Sequence, residues 1–228
     1  MTLVVIPAFN EAATVAEVVR GIRRLGMESV VVDDGSSDDT ATQAAAAGAT
    51  VLRIPVNVGV GGALRTGFRH AVMRGATRVV QVDADLQHGP DQIPLLLAAA
   101  DAGHELVIGS RFSGSNYAVS GPRRWAMRLL ARMVSRRIGV TLTDVTSGFR
   151  VISEPLLTTF AEEYPAEYLG DTVEALLLAH RHRARITEVS VVMAARAAGE
   201  PTPRLVAAGH FFRILLTLLV KPRRRLAE

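Results

Sequence analysis

The chain has 228 residues, 49% of them apolar, with 26 Lys and Arg against 22 Asp and Glu. That is enough for one sizeable core and too apolar for a disordered chain. It contains no cysteine, which excludes disulfides, zinc–thiolate centres and thiol nucleophiles. The first residues enter a strand-like run with no basic region and no cleavable apolar stretch ahead of it, so a cytoplasmic address is the expectation.

Leu3-Val4-Val5-Ile6 reads as a fully buried strand stopped by Pro7. Asn10 is expected to cap a helix whose apolar residues Val15, Val18, Val19, Ile22 and Leu25 recur at helical spacing before Gly26. Ser29 to Val32 forms a second strand running into Asp33-Asp34-Gly35-Ser36-Ser37-Asp38, where Asp38 or Asp39 caps an alanine-rich helix that Gly48 stops. Thr50 to Ile54 is a third strand, and Asn57-Val58-Gly59-Val60-Gly61-Gly62 opens a helix to about Met73. Val79 to Val82, a helix from Pro90 to Ala102 and a strand from Glu105 to Gly109 complete the alternation. Strand and helix in turn predict an α/β fold, a mostly parallel sheet flanked by helices. In such a sheet the carboxyl ends of the strands face one crevice, so motifs distant in sequence would meet there.

The fourth strand runs into Asp83-Ala84-Asp85-Leu86-Gln87-His88. Continued alternation would put Asp83 and Asp85 on one side with Gln87 nearby. Three such oxygen donors suit Mg²⁺ or Mn²⁺, hard cations that keep positions open for substrate phosphates. A polar loop with capping aspartates would look the same in isolation. The common phosphate cradles are missing: there is no G-x-x-x-x-G-K-[ST], and the glycine segment after the third strand fails the G-x-G-x-x-G pattern at its last position. Both a P-loop NTPase and a dehydrogenase are therefore poorly supported.

From Pro122 the charge becomes basic. Arg124, Arg128, Arg132 and Arg136 recur every fourth residue beside Trp125, Leu129, Leu130, Met133 and Val134, an arginine stripe along an apolar face. It reads either as an ordinary solvated face or as a surface for anionic membranes. Val206 to Val220 is an apolar stretch interrupted by His210, Arg213 and Thr217 and followed by a basic run. It is too short and too polar to span a bilayer, which takes about 20 residues. Lying in a membrane interface or docking against a partner fits such a stretch better, and a core helix with a charged tail would read the same. The chain is divided into a main domain over 1–204 and an amphipathic, basic, membrane-proximal helix and tail over 205–228. The stripe lacks the interleaved aromatics of a nucleic-acid stacking platform, so no nucleic-acid partner is expected.

Five motifs occur in order: Pro7-Ala8-Phe9-Asn10-Glu11, Val32-Asp33-Asp34-Gly35-Ser36, Asp83-Ala84-Asp85-Leu86-Gln87-His88, Gly109-Ser110-Arg111 and Thr146-Ser147-Gly148-Phe149-Arg150. Together they resemble the inverting family 2 glycosyltransferases of GT-A fold, close to the polyprenol-phosphate (dolichol-phosphate mannose synthase-like) sugar transferases. The resemblance implies a Rossmann-like sheet and transfer of a hexose, mannose or glucose, from a GDP- or UDP-sugar to polyprenyl phosphate. It implies that Pro7, Asn10, Glu11 and Asp34 line the base and ribose pocket and that Asp83 and Ala84 meet the donor. Asp83, Asp85 and Gln87 would hold Mg²⁺ or Mn²⁺ on the diphosphate. Arg196, in Ala195–Glu200, would contact phosphate from a closing loop, although Pro201-Thr202 departs from the family pattern after it.

A phosphate acceptor is already ionised and needs cations instead of a base; the resemblance implies Arg111 with Arg123 or Arg124 as the candidate set. A saccharide hydroxyl acceptor, as in cell-envelope or exopolysaccharide assembly, would need a carboxylate to take its proton, and Asp144 is the candidate. A phosphate acceptor predicts that Asp144→Asn keeps most turnover and Arg124→Ala loses it. A silent nucleotide-sugar-binding module is the third reading. The implied address is cytoplasmic, peripheral on the inner face of the cell membrane.

Overall fold

The computed structural model describes residues 1–112, 122–165 and 171–194, without the side chains of residues 122, 123 and 171. Seven strands form one sheet: β1 (Thr2–Ala8), β2 (Glu28–Asp33), β3 (Thr50–Arg53), β4 (Arg78–Gln81), β5 (Leu106–Ser110), β6 (Arg150–Ser153) and β7 (Ile186–Ser190), in the order β3-β2-β1-β4-β6-β5-β7. All pairings are parallel except those of β6, which runs antiparallel to β4 and β5. The expected strands are all present; of the two absent from the sequence-based outline, β6 is inserted between β4 and β5 and β7 adds an edge beyond β5.

Helices cover both faces, which is why the inner strands are apolar without alternation. Leu3, Val5, Val30, Val32 and Val79 turn to one face. There they meet α3 (Val60–Met73), α5 (Pro122–Ile138), α6 (Leu156–Glu163) and α7 (Asp171–Arg181). Val4, Ile6, Val31, Val80 and Val82 turn to the other. That face carries α1 (Val15–Arg24), α2 (Thr40–Ala47) and α4 (Ile93–Asp101), the last preceded by a 3₁₀ turn at Pro90–Gln92.

Two local expectations are corrected. Asn10 does not cap α1, which starts at Val15 behind Thr14. Its backbone is left-handed, φ 55°, a conformation asparagine tolerates, and its Oδ1 accepts the Ser37 N–H at 2.9 Å. The side chain is thus spent on joining two loops. The fourth strand stops at Gln81, so the aspartates do not continue its alternation: Ala84 and Asp85 lie in a turn, and Leu86 has φ 65°. Residues 195–200 and 205–228, expected to form a closing loop and a C-terminal helix and tail, lie outside the described residues.

Candidate functional site

Hydrogen bonds from polar loop residues gather the carboxyl ends of β1, β2 and β3. The Asn10 N–H donates to Ser36 Oγ at 2.9 Å, Glu11 N–H to Thr40 Oγ1 at 2.8 Å and Ala12 N–H to Asp38 Oδ2 at 3.1 Å. Asp38 also accepts the Thr40 hydroxyl and, at 3.0 Å, the Thr40 N–H, so it ties α2 down while Asp39 holds the N-cap position without a side-chain bond. Asp33 accepts the Ser36 N–H at 3.0 Å and pairs with Arg53 at 3.2 Å.

Asp34, 3% exposed, accepts the N–H groups of Val58 and Gly59, each at 2.8 Å. It therefore anchors the glycine segment that opens α3. Burial raises its carboxyl above the ordinary value, outweighing the two N–H bonds that pull it down, and the charge of Asp33 adds to the rise. Pro7 and Glu11 are half-buried on the same rim, Asn10 is exposed beside them, and Ala84 is buried within the aspartate turn. Pro7, Asn10, Glu11 and Asp34, expected to line the base and ribose pocket, are thus brought to neighbouring strand ends.

At the end of β4 the two aspartates differ. Asp83 presents its side chain, 37% exposed, and its N–H donates to His88 Nδ1 at 3.1 Å. Asp85 is 6% exposed and accepts the Gln87 N–H at 3.0 Å and Gln87 Nε2 at 2.7 Å. Gln87 here orients Asp85 through its amide nitrogen. Among the described residues no three of His, Cys, Asp and Glu converge into a closed metal cage. An open carboxylate and a second one oriented by an amide are residue types that could hold a Mg²⁺ or Mn²⁺ ion, which keeps water in its remaining positions.

Beyond β5 lies a second cluster. Asp144, 1% exposed, receives Arg111 Nε at 2.7 Å and Nη2 at 3.0 Å, and the Thr146 hydroxyl at 3.1 Å. Such a bidentate pair fixes both partners. Glu188 of β7 accepts the Thr143 N–H at 2.7 Å and so holds the turn before Asp144. Sequence gave no sign of Glu188, because its partners lie far away in the chain. The Arg111 guanidinium stands 5.6 Å from the centre of the Phe112 ring. Phe112 in turn lines a cavity of about 330 Å³ together with Arg124, Arg128 and Arg132 of α5 and apolar Met127, Ala131 and Leu142. Three arginines of the stripe thus share one hollow, while Trp125 is 71% exposed outside it. The Arg123 side chain and Arg196 lie outside what is described.

The model of the family described as Glycosyl transferase family 2 matches residues 3–161. An undecaprenyl-phosphate mannosyltransferase of Micrococcus luteus is 33% identical over 211 residues, 87% of this chain and 85% of that protein. A polyprenol monophosphomannose synthase of Mycolicibacterium smegmatis is 34% identical over 166 residues, 68% of this chain and 63% of that protein. Among solved structures, glucosyl-3-phosphoglycerate synthase from Mycobacterium tuberculosis, in complex with Mn²⁺, UDP-glucose and phosphoglyceric acid, superposes with a TM-score of 0.74 at 27% identity, covering 98% of this chain and 81% of that one. With its mostly parallel sheet and its motifs gathered at the strand ends, the chain has the GT-A fold and belongs to glycosyl transferase family 2, as a glycosyltransferase.

Proposed function

We propose that this enzyme transfers a hexose, with inversion, from a nucleoside-diphospho-sugar to polyprenyl phosphate at a membrane surface. The observation that carries the reading is the hollow beside Arg111, where Arg124, Arg128 and Arg132 stand among apolar side chains. Cations and apolar surface in one pocket suit a phosphate joined to a hydrocarbon chain. Asp144 supports the same choice. A carboxylate shut from solvent and engaged by Arg111 and Thr146 is badly placed to take a proton from a hydroxyl, and an ionised phosphate needs no base. Arg111 and Arg124 would hold the acceptor phosphate, and Asp144 would keep Arg111 in place.

On the donor side, Pro7, Asn10, Glu11 and Asp34 frame the nucleoside pocket, with Asp34 acting through the Val58–Gly59 backbone. Asp83, Asp85 and Gln87 would hold Mg²⁺ or Mn²⁺, which supplies positive charge for the departing diphosphate. Solved neighbours carrying Mn²⁺ or Mg²⁺ with UDP support that ion choice. Relatives named for mannose make GDP-mannose the first donor to test, and the UDP-glucose complexes make UDP-glucose the second.

Among the described residues no helix is long and apolar enough to cross a membrane. The arginine stripe, exposed Trp125 and the basic tail support peripheral binding to the anionic inner face of the cell membrane. A second reading has its own support: the neighbours bind phosphoglyceric acid, an anion the same arginines suit. Incubation with GDP-mannose or UDP-glucose, Mg²⁺ or Mn²⁺, and either undecaprenyl phosphate or 3-phosphoglycerate separates the two. Product on the lipid alone is expected; product on 3-phosphoglycerate alone overturns the lipid acceptor.

A further inference from the structure

The segment Ser147–Arg150 lies against Asp83 at Gly148. A Cβ placed on Gly148 would lie 2.9 Å from Asp83 Oδ2 and 3.0 Å from Oδ1, so the carboxylate rests directly against the missing side chain. Phe149 stacks on the His88 ring, centroids 5.0 Å apart and planes 15° from parallel, and His88 Nδ1 is the acceptor of the Asp83 N–H. Arg150 is wholly buried. Its Nε donates to the Ser147 carbonyl at 2.8 Å and its Nη2 to the Thr172 carbonyl at 3.1 Å, while Nη1 has no hydrogen-bond partner among the described residues.

A guanidinium removed from water and held by main-chain carbonyls is an expensive way to fill space, since an apolar side chain would pack there without a desolvation cost. What it does accomplish is local: it clamps the carbonyl of Ser147, and with it the turn against which the Asp83 carboxylate lies. We infer that Ser147–Arg150 is the positioning frame of the metal-binding carboxylate, with Gly148 admitting Asp83 and Arg150 holding the turn. This rests on the metal-dependent reading above. Neither Gly148 nor Arg150 touches substrate in that scheme; both act through Asp83, as outer partners orient the groups that grip a metal.

Gly148 gives the sharper test. It is not among the glycines with positive φ, so alanine fits the backbone. The atoms its methyl would meet belong to the end of a rotatable side chain. The fold can absorb Gly148→Ala by turning Asp83 aside, whereas the metal site cannot. Mn²⁺ binding to the full chain is measured by the electron paramagnetic resonance of the free ion, first with Mn²⁺ alone and then with GDP or UDP, beside a thermal melt.

The expected result is a near-normal melting temperature for Gly148→Ala with Mn²⁺ bound roughly 10- to 100-fold more weakly. The Mn²⁺ concentration needed for turnover should rise while the KM for acceptor stays put. Arg150→Met should weaken Mn²⁺ binding and Arg150→Lys restore part of it. Should the Arg150 variants fail to fold, Gly148→Ala alone decides. Wild-type Mn²⁺ affinity in a folded Gly148→Ala protein overturns the inference and leaves the functional reading intact. A wild-type protein that binds no Mn²⁺ with either nucleotide overturns both.

Discussion

Asp34 and Asp38 lie on the same loop after β2 and titrate in opposite directions. For Asp34, burial outweighs the N–H bonds from Val58 and Gly59, and the carboxyl is raised above its ordinary 3.8. For Asp38, burial pulls upward, but the hydrogen bonds from Thr40 and Ala12 together exceed it and the carboxyl is lowered. The linkage signs follow. The Asp34 contribution is fully present below the unfolded value and is lost as pH rises through the raised one. The Asp38 contribution is present above the unfolded value and is lost as pH falls through the lowered one. In urea melts, the stability gap between wild type and Asp38→Asn should therefore close below about pH 3.8, while the gap for Asp34→Asn should shrink as pH rises above it. Equal gaps at every pH would contradict both. At Asp144, the structure changes what a substitution means: Asp144→Asn leaves Arg111 without its bidentate partner. We expect a loss of about 2 kcal/mol in unfolding free energy and a higher KM for acceptor, with no shift in the pH profile of kcat. A kcat profile that loses its acidic limb would instead identify Asp144 as the base.

Among the elements, α3 shows how a loop sets a helix for function. Gly59 precedes it with φ 85° and ψ 161°, a region open essentially to glycine. The Gly59 N–H that this backbone turns toward β2 is one of the two that Asp34 accepts. Gly59→Ala should cost about 1–3 kcal/mol in denaturant unfolding and weaken nucleotide binding measured by calorimetry, because the donor-side rim moves with the loop. Unchanged nucleotide affinity in a destabilised Gly59→Ala protein would separate this loop from the donor pocket. The antiparallel β6 has a comparable role on the other side. Its reversed direction brings the Thr146–Phe149 turn to the same end of the sheet at which β4 finishes, and so sets Gly148 against Asp83.

Taken as a whole, the molecule separates its charges. Acidic loops gather at the ends of β2 and β4, while the arginine stripe of α5 lines the hollow beyond Phe112. Under the lipid-phosphate reading, Arg124→Ala should raise the KM for polyprenyl phosphate about tenfold, as expected for a charged hydrogen bond worth roughly 1.5 kcal/mol or more. The KM for donor should change little. Binding to vesicles containing anionic lipid should fall as salt rises, since exposed charges are screened beyond about 10 Å at 0.1 M ionic strength. Sedimentation with neutral and anionic vesicles measures it. Salt-insensitive binding would point to apolar contact through Trp125 instead of the stripe.

Much of the architecture was legible because it follows from local pattern. Buried apolar runs such as Leu3–Ile6 and Val30–Val32, helical spacing from Val15 to Ile22, and glycine stops at Gly26 and Gly48 all report on neighbours in the chain. The order of the motifs then identified the family, and parallel strands bring their carboxyl ends together whatever the details. Other features depended on residues far apart in sequence. Asn10 joins the Ser36–Ser37 loop instead of capping a helix, Asp144 is closed off by Arg111, and Glu188 pins the Thr143 turn. Residue type tells what a polar side chain can bond to. Which partner it meets, and whether water still reaches it, is decided when the sheet and its covering helices close around it.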